Sequence, residues 1–236
     1  MGIGPLAIVG AGRLGTALAA ALGAPEPLRR GADPRDAGVV LLCVPDAAIP
    51  AAAAAIAPRD GLLVGHCSGA TGLDALAPHE AFGLHPLMTV PAGAPAGVLR
   101  GAGCAIDGTT ARALGAAREL ADRLGMRATT VAPEDRAAYH AAAAIASNFL
   151  VTIEAAAERL AATAGIERAQ LAPLVRASVE NWAALGPQRA LTGPIARGDR
   201  ATVERHRAAI AERAADLLPL YDALANATRE LAGVPA

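Results

Sequence analysis

Ala7 Ile8 Val9 Gly10 Ala11 Gly12 Arg13 Leu14 Gly15 joins an apolar run, a G-x-G-x-x-G turn and the start of an alanine-rich stretch close to the beginning of the chain. An apolar run that stops at glycine reads as a strand, and the alanines and leucines that follow read as a helix. Each glycine then has a separate task. Gly10 bends the backbone, Gly12 lets the main chain approach a diphosphate, and Gly15 lets the helix lie close on the strand. Free N–H groups at the helix start, with Arg13 and Leu14 in its first turn, favour negative charge in front of them. A structural tight turn is the alternative, because glycine- and alanine-rich sequence produces this spacing by chance. The context favours the nucleotide: a second apolar run, Gly38 Val39 Val40 Leu41 Leu42 Cys43 Val44, follows shortly downstream.

Outward from this motif, short apolar runs alternate with helical segments up to Val131. Strands are expected at Leu6 to Val9, briefly at Pro27 to Arg29, and then at Val39 to Val44, Leu62 to His66, Ala81 to Leu84, Gly103 to Ile106 and Arg127 to Val131. Helices are expected at Leu14 to Leu22, Ala47 to Ile56 and Thr110 to Leu124. This is the pattern of an α/β domain, a Rossmann-like doubly wound parallel sheet. Only about seven residues, Gly31 to Ala37, separate the second and third strands, too few for a helical crossover, so the second crossover helix is expected to be missing. After Val131 the alternation stops. Ala132 Pro133 Glu134 Asp135 reads as a helix start, and helical periodicity then continues to Leu231 with breaks at Gly165, at Gly186 Pro187 and at Thr192 Gly193 Pro194. The expected organisation is a nucleotide-binding domain over 1–131 followed by an all-α domain over 132–236.

The composition narrows the partners. A formal net charge of −1 gives no electrostatic reason to bind nucleic acid or an anionic membrane. No apolar stretch reaches the roughly 20 residues that cross a bilayer, and no secretory leader is recognisable; the expected location is the cytoplasm. Three cysteines, Cys43, Cys67 and Cys104, are odd in number and widely spaced, which argues against a disulfide framework. All 21 basic residues are arginine, so no lysine Schiff base, lysine acid or P-loop lysine operates here.

About 20 residues past the glycine turn, where an NAD site offers an acidic residue for the ribose, this chain has Arg29 Arg30. Two guanidinium groups suit the 2′-phosphate of NADP; a solvated basic turn is the alternative. Three loops at strand ends concentrate polar groups: Val44 Pro45 Asp46, where Asp46 caps a helix or lies beside the cofactor; His66 Cys67 Ser68 Gly69 Ala70; and Leu84 His85 Pro86 Leu87 Met88 Thr89. The histidine and cysteine spacing matches no zinc pattern, so no metal is expected. Ser68 lacks the strand-to-helix elbow of a serine nucleophile. His85 is the better catalytic group, because an imidazole titrates near neutrality and hydride addition to a carbonyl or imine needs a proton; a structural or substrate-contacting role is the alternative. On the first long helix, His140, Ala144, Ser147 and Asn148 follow helical spacing and share a face. Further on, Arg197 can hold a substrate carboxylate and Asp199 can cap the next helix.

With Gly10 to Gly15, Val44 Pro45 Asp46, His66 to Ala70, His85 Pro86 Leu87, Ser147 Asn148 Phe149 and Ala190 to Asp199 in view, the chain resembles the Rossmann-like oxidoreductases that carry a C-terminal domain of unknown function. These sit within the superfamily of 6-phosphogluconate dehydrogenase and pyrroline carboxylate reductase. The resemblance implies an NADP-dependent reductase that dimerises through its helical domain, acting on a small carbonyl or imine substrate, a 2-oxo acid such as ketopantoate among the candidates. Related hydroxyacid dehydrogenases place a catalytic lysine near the asparagine that Asn148 matches, and none exists here. The proton donor is then His85, His140 or a water held by Ser68 and Asn148. A non-catalytic NADP(H) sensor is the alternative from another class, and reduction of a deazaflavin by NADPH is a third.

Overall fold

Valine, leucine and isoleucine in unbroken short runs, with glycine or proline at their ends, form strands buried on both faces. The computed structural model describes residues 3–29, 31–32 and 34–234. In it, β1 (Leu6–Val9), α1 (Arg13–Leu22), β2 (Val39–Leu42), α2 (Ile49–Ala54), β3 (Leu63–His66), β4 (Glu80–Leu87), β5 (Gly103–Gly108), α3 (Ala111–Arg123) and β6 (Arg127–Thr130) succeed one another. The strands form one sheet in the order β1-β2-β3-β4-β5-β6. Its register aligns Val9 with Leu42, Leu42 with His66 and His66 with Gly83.

Alternate residues of each strand feed opposite faces. Ile8, Val39, Leu41, Leu63, Phe82 and Leu84 pack under α1 and α3, while Val9, Val40, Leu42, Val64 and Ala81 pack under α2. With aromatic residues only 2% of the chain, small side chains fill most of this space. Phe82 is the large exception. It is fully buried, and its ring occupies the place that a side chain at Gly65 on the neighbouring strand would take.

Two expectations are corrected. The sheet is parallel from β1 to β4 and between β5 and β6, but β4 and β5 run antiparallel. The cause is the link over 88–102, which forms turns rather than a crossover helix, so the chain returns in the opposite direction. The same pairing lengthens β4 beyond the expected Leu84, and His85 lies within the strand, opposite Ala105. The brief second strand shrinks to one parallel bridge, Leu28 with Val9, held by Leu28 N–H to Ile8 O at 2.7 Å and Gly10 N–H to Leu28 O at 2.9 Å. As expected, the described residues between Leu28 and β2 form no helix. β1 therefore has Leu28 on one side and β2 on the other, and its carboxyl end is the point where the winding reverses and ligands of open α/β sheets bind.

The chain divides into two compact units, 1–147 and 148–236. The first thus includes α4 (Arg136–Ala144), entered through a single tight turn at Pro133–Asp135, beyond the expected boundary after Val131. Arg136 explains why: its guanidinium donates to the Asp107 carboxylate on β5 at 2.9 Å, with both side chains mostly buried. The second unit is helical throughout, with α5 (Leu150–Ala162), α6 (Arg168–Leu185), α7 (Pro187–Ala190), α8 (Arg200–Arg213) and α9 (Leu218–Ala232), and it breaks where the glycines and prolines foretold. Among its described residues it buries only Val203, Ile210 and Ala225. The run Pro133–Ala162 also corrects the expectation about membrane-length segments: it is helical over 30 residues with mean hydropathy 1.2 in its most apolar window, long and apolar enough to cross a membrane by length and composition alone. Alanine is the reason, since it supports a helix and counts as apolar without making the segment strongly hydrophobic.

Removing the Phe82 ring leaves a void between two close-packed strands that backbone cannot fill. Phe82→Ala is expected to lower unfolding free energy by about 3–5 kcal/mol, measured as a shift of the urea midpoint.

Candidate functional site

The three glycines of the opening turn behave differently. At Gly10, φ is +115°, and an added Cβ would lie 2.3 Å from the Cys43 carbonyl oxygen. At Gly15 it would lie 2.0 Å from the Gly10 carbonyl oxygen, so α1 presses directly on the turn that precedes it. At Gly12, the residue before α1, nothing stands within 4 Å of such an atom. Gly10 and Gly15 are required by packing, as expected, and Gly12 faces open space. No side chain caps α1 and its first turn holds no acidic residue. The N–H groups of Arg13, Leu14 and Gly15 are therefore left for a ligand, and the helix dipole adds to the attraction for an anion.

Val9 at the end of β1, Gly31 and Ala32, and Ala48, Ala51, Ala52, Ala55 and Ile56 in and around α2 line a small apolar pocket of about 140 Å³. Arg29 follows the Leu28 bridge and is exposed; Arg30 lies outside the described residues. Val44 and Pro45 form the turn after β2. Asp46 does not cap α2 as expected, because it begins a separate tight turn, Asp46–Ala48, and makes no capping hydrogen bond. Its exposed carboxylate instead acts on the histidines of the neighbouring strands.

Three of those histidines are built for different work. His66 ends β3 and is fully buried. Its Nδ1 accepts from the Ser68 N–H at 3.2 Å, which leaves Nε2 to donate to the Gly72 carbonyl at 3.4 Å. Burial is the main cause of its lowered pKa. His79 is likewise bound, to the Ala53 carbonyl. His85 is the one with a side-chain partner: its Nδ1 lies 2.8 Å from the Tyr139 hydroxyl of α4. Burial first, then the nearby His140, push its pKa from 6.5 to about 4, against the attraction of Asp46. An imidazole expected to titrate near neutrality is thus neutral at neutral pH.

Ser68 is corrected too. Its Oγ accepts from the N–H groups of Ala70 and Thr71, at 3.2 and 2.9 Å, and donates to Thr71 Oγ1 at 3.0 Å. The hydroxyl builds the loop, with no proton left over to hold a water or a substrate. That loop brings Gly69 under two rings, since an added Cβ would lie 2.8 Å from His85 Cε1 and 2.8 Å from His140 Cδ2. His140 is exposed and, with Arg136, Ala70 and Gly72, lines an open cavity of about 500 Å³. Gly69, Tyr139 and Arg136 are the members of this site that the sequence reading left without a role. Only the tyrosine next to His140 gave a signal, because pairing across β4 and α4 is not written in local spacing.

Asn148 and Arg197 belong to the second unit. The helical run widens into a π turn over Ile145–Phe149, so the single face expected for His140, Ala144, Ser147 and Asn148 does not follow ordinary α-helical register. Arg197 is exposed on the turn that starts at Gly193, and Asp199 caps α8 as expected, accepting from Thr202 N–H at 3.0 Å. No cluster of metal ligands occurs among the described residues. Cys43, Cys67 and Cys104 are free thiols, with Cys43 and Cys67 side by side, their sulfurs 3.8 Å apart.

A Rossmann-like domain model matches residues 27–91, and a model described as a domain of unknown function, DUF2520, matches residues 102–228, more than half of the chain. The chain belongs to the DUF2520 family. Among solved structures it is similar to protein TM1727 of Thermotoga maritima, at 24% identity and TM-score 0.83 over 97% of this chain and 99% of that one. It is similar to a Bacteroides fragilis protein provisionally assigned as an NADP oxidoreductase, at 19% identity and TM-score 0.82 over 97% and 98%. It is also similar to the pyrroline carboxylate reductase of Plasmodium falciparum with NADP bound, at 12% identity and TM-score 0.63 over 98% and 99%. At these identities the likeness is one of fold. No curated protein matches the chain. Within the DUF2520 match lie β5 and α4, so the family's segment supplies Tyr139 and His140 while the Rossmann-like segment supplies His66, Ser68 and His85.

The depressed pKa of His85 has a measurable sign. Between about 4 and 6.5 an unfolded chain takes up a proton that the folded one refuses, so stability falls as pH falls through this window. Unfolding at pH 7 and pH 5 should show that loss in the native chain and a smaller one in His85→Asn.

Proposed function

We propose that this protein is an NADPH-dependent oxidoreductase that reduces a small carbonyl or imine compound carrying a carboxylate. The reading rests on one juxtaposition: the carboxyl edge of β1 to β4 carries both an uncapped helix start on a glycine turn and a neutral imidazole hydrogen-bonded to a tyrosine. The residues present fit the dinucleotide. The N–H groups after Gly12 meet its diphosphate, the alanine-lined pocket of about 140 Å³ beside Gly31 takes the flat adenine, and Arg29, with Arg30, pairs the 2′-phosphate. When bound, the nicotinamide supplies hydride. Val44, Pro45 and the Ser68 loop would wall its side of the cleft and His85 would stand where a proton is needed; in the second unit, exposed Arg197 is our candidate partner for a substrate carboxylate. That the related reductase from Plasmodium falciparum holds NADP supports this assignment. Three free thiols agree with a reducing cytoplasm.

The partner is a second copy of the chain. α5 and α6 bury no residue, while Phe149, Val151, Leu174 and Trp182 are 56%, 69%, 66% and 58% exposed. A helical unit whose large apolar side chains face outward has its core still to make, and an identical unit offers the same surface in return.

Calorimetry should find NADPH bound more tightly than NADH, with Arg29→Ala paired with Arg30→Ala weakening NADPH about tenfold or more and NADH little; equal losses would end the 2′-phosphate assignment. NADPH oxidation across small 2-oxo acids, ketopantoate included, and cyclic imines should then reveal turnover. Tight binding without turnover of any of them would favour a sensor. Light scattering should give twice the 23.5 kDa chain mass, with emission from the single Trp182 shifting red on dissociation.

A further inference from the structure

Neutrality closes the simplest role for His85. With a pKa of about 4, roughly one molecule in a thousand is an imidazolium at pH 7, so the ring cannot be a standing acid. A neutral imidazole can still deliver its N–H proton, provided that its other nitrogen receives one in the same event. Among the described residues, the group hydrogen-bonded to that other nitrogen is the Tyr139 hydroxyl, 2.8 Å from Nδ1. The two rings meet edge to face at 5.5 Å and 87°, so the hydroxyl lies at the rim of the imidazole. Gly69 underlies the arrangement, because only a residue without Cβ leaves room for His85 Cε1 at that depth.

We infer that Tyr139 and His85 form a two-step proton relay, in which neutral His85 gives its Nε2 proton to the substrate and takes the Tyr139 hydroxyl proton at Nδ1. The inference rests on the reductase reading above. The balance is complete. The dinucleotide supplies two electrons as hydride to the substrate carbon, and the oxygen or nitrogen left with the new electron pair forms a bond to hydrogen as the Nε2–H bond breaks. In the same event the Tyr139 Oη–H bond breaks and Nδ1–H forms; afterwards Nε2 takes a proton from water as Nδ1 returns its own to the phenolate, which restores the starting tautomer. Tyr139 is half-buried and its pKa is raised by that burial, yet an alkoxide or amide anion is a stronger base than a phenolate, so the transfer runs downhill. The charged neighbours oppose one another: Arg136 and His140 on α4 and His66 on β3 disfavour an imidazolium at His85 and Asp46 after β2 favours it, while Arg136 also favours a phenolate at Tyr139 against the burial that disfavours it.

Tyr139 acts through His85, so its test reads tautomer and pH as well as rate. Nitrogen and carbon NMR of histidine-labelled protein without dinucleotide, with the His85 signal assigned by His85→Asn, should show the Nε2–H tautomer. Tyr139→Phe, which keeps the ring, should give a mixture of tautomers with an unchanged melting temperature. An Nδ1–H tautomer in the native chain, or no change on losing the hydroxyl, overturns the relay. With any 2-oxo acid or cyclic imine that turns over, Tyr139→Phe should lower kcat about 100-fold while KM and the NADPH dissociation constant stay within about twofold. Native kcat should hold from neutral pH into the alkaline range and fall only as the tyrosine ionises; a rate that declines above pH 4 would assign the proton to an imidazolium. Absence of NADPH binding would overturn the reductase reading itself, and the tautomer measurement does not depend on it.

Discussion

The contact between Gly15 and the Gly10 carbonyl is the constraint on which the site depends. Because position 15 has no side chain, α1 approaches until its first turn stands directly over the turn that ends β1. One added methyl group would need to sit 2.0 Å from that oxygen, and no rotamer escapes the overlap because Cβ has none. Moving the helix outward would carry the free N–H groups of Arg13 to Gly15 off the carboxyl edge. It would also open the packing of Leu18 and Leu22 over Ile8 and Leu41. Gly10 joins the same contact from below, lodged against the Cys43 carbonyl as the chain leaves β2. The placement of these N–H groups and the core packing therefore share atoms, which explains why a glycine turn can be strict at two positions and open at the third.

Charge is handled economically along the same edge. With no lysine in the chain, the cations available are guanidinium groups, which do not titrate, and histidines, which do. The structure keeps His66 and His85 neutral by burial and sets the Arg136 guanidinium near them, so positive charge is already present without them. Asp107 in turn accepts Arg136 and binds the Gly108 N–H at 2.7 Å, which turns one ion pair into the fastening of α4 on the sheet. A neutral imidazole at the end of β4 is thus a product of the fold. It follows from extending β4 past β3 and laying α4 across that extension.

How much of this was legible in the sequence varied with the range of the interaction. The opening turn was, because its glycines, its strand and its helix lie within a dozen residues and obey local steric rules. The breaks at Gly165, Gly186 and Gly193 were legible too, since positive φ there suits glycine. The antiparallel β4–β5 pair was not: Ala81 to Leu84 and Gly103 to Ile106 read equally well as parallel strands, and the direction was decided by a link whose turns leave no helix. His85 was placed in a loop for the same reason. Its neutrality was out of reach, because burial and the approach of His140 are set by α4, more than fifty residues away in the chain. The one-face reading of His140 and Asn148 assumed an unbroken α-helix, and nothing in Ile145 Ala146 Ser147 Asn148 Phe149 announces a π turn.

The helical unit poses the opposite problem from the sheet. Strands rich in Val, Ile and Leu bury both faces against helices and complete a core within one chain, whereas α5 to α9 present mostly Ala, Arg and Glu with a few large apolar groups among them. Ordering a residue costs about 1–2 kcal/mol of backbone entropy, and three buried side chains, Val203, Ile210 and Ala225, come nowhere near offsetting that over the described part of the unit. Bidentate ion pairs such as Arg159 with Asp216 and Arg207 with Asp222 are exposed and contribute little. On the proposal that a second copy covers the surface carrying Val151, Leu174 and Trp182, the ordering of this unit and the covering of that surface would be one event, whereas the sheet and its helices close their core within one chain.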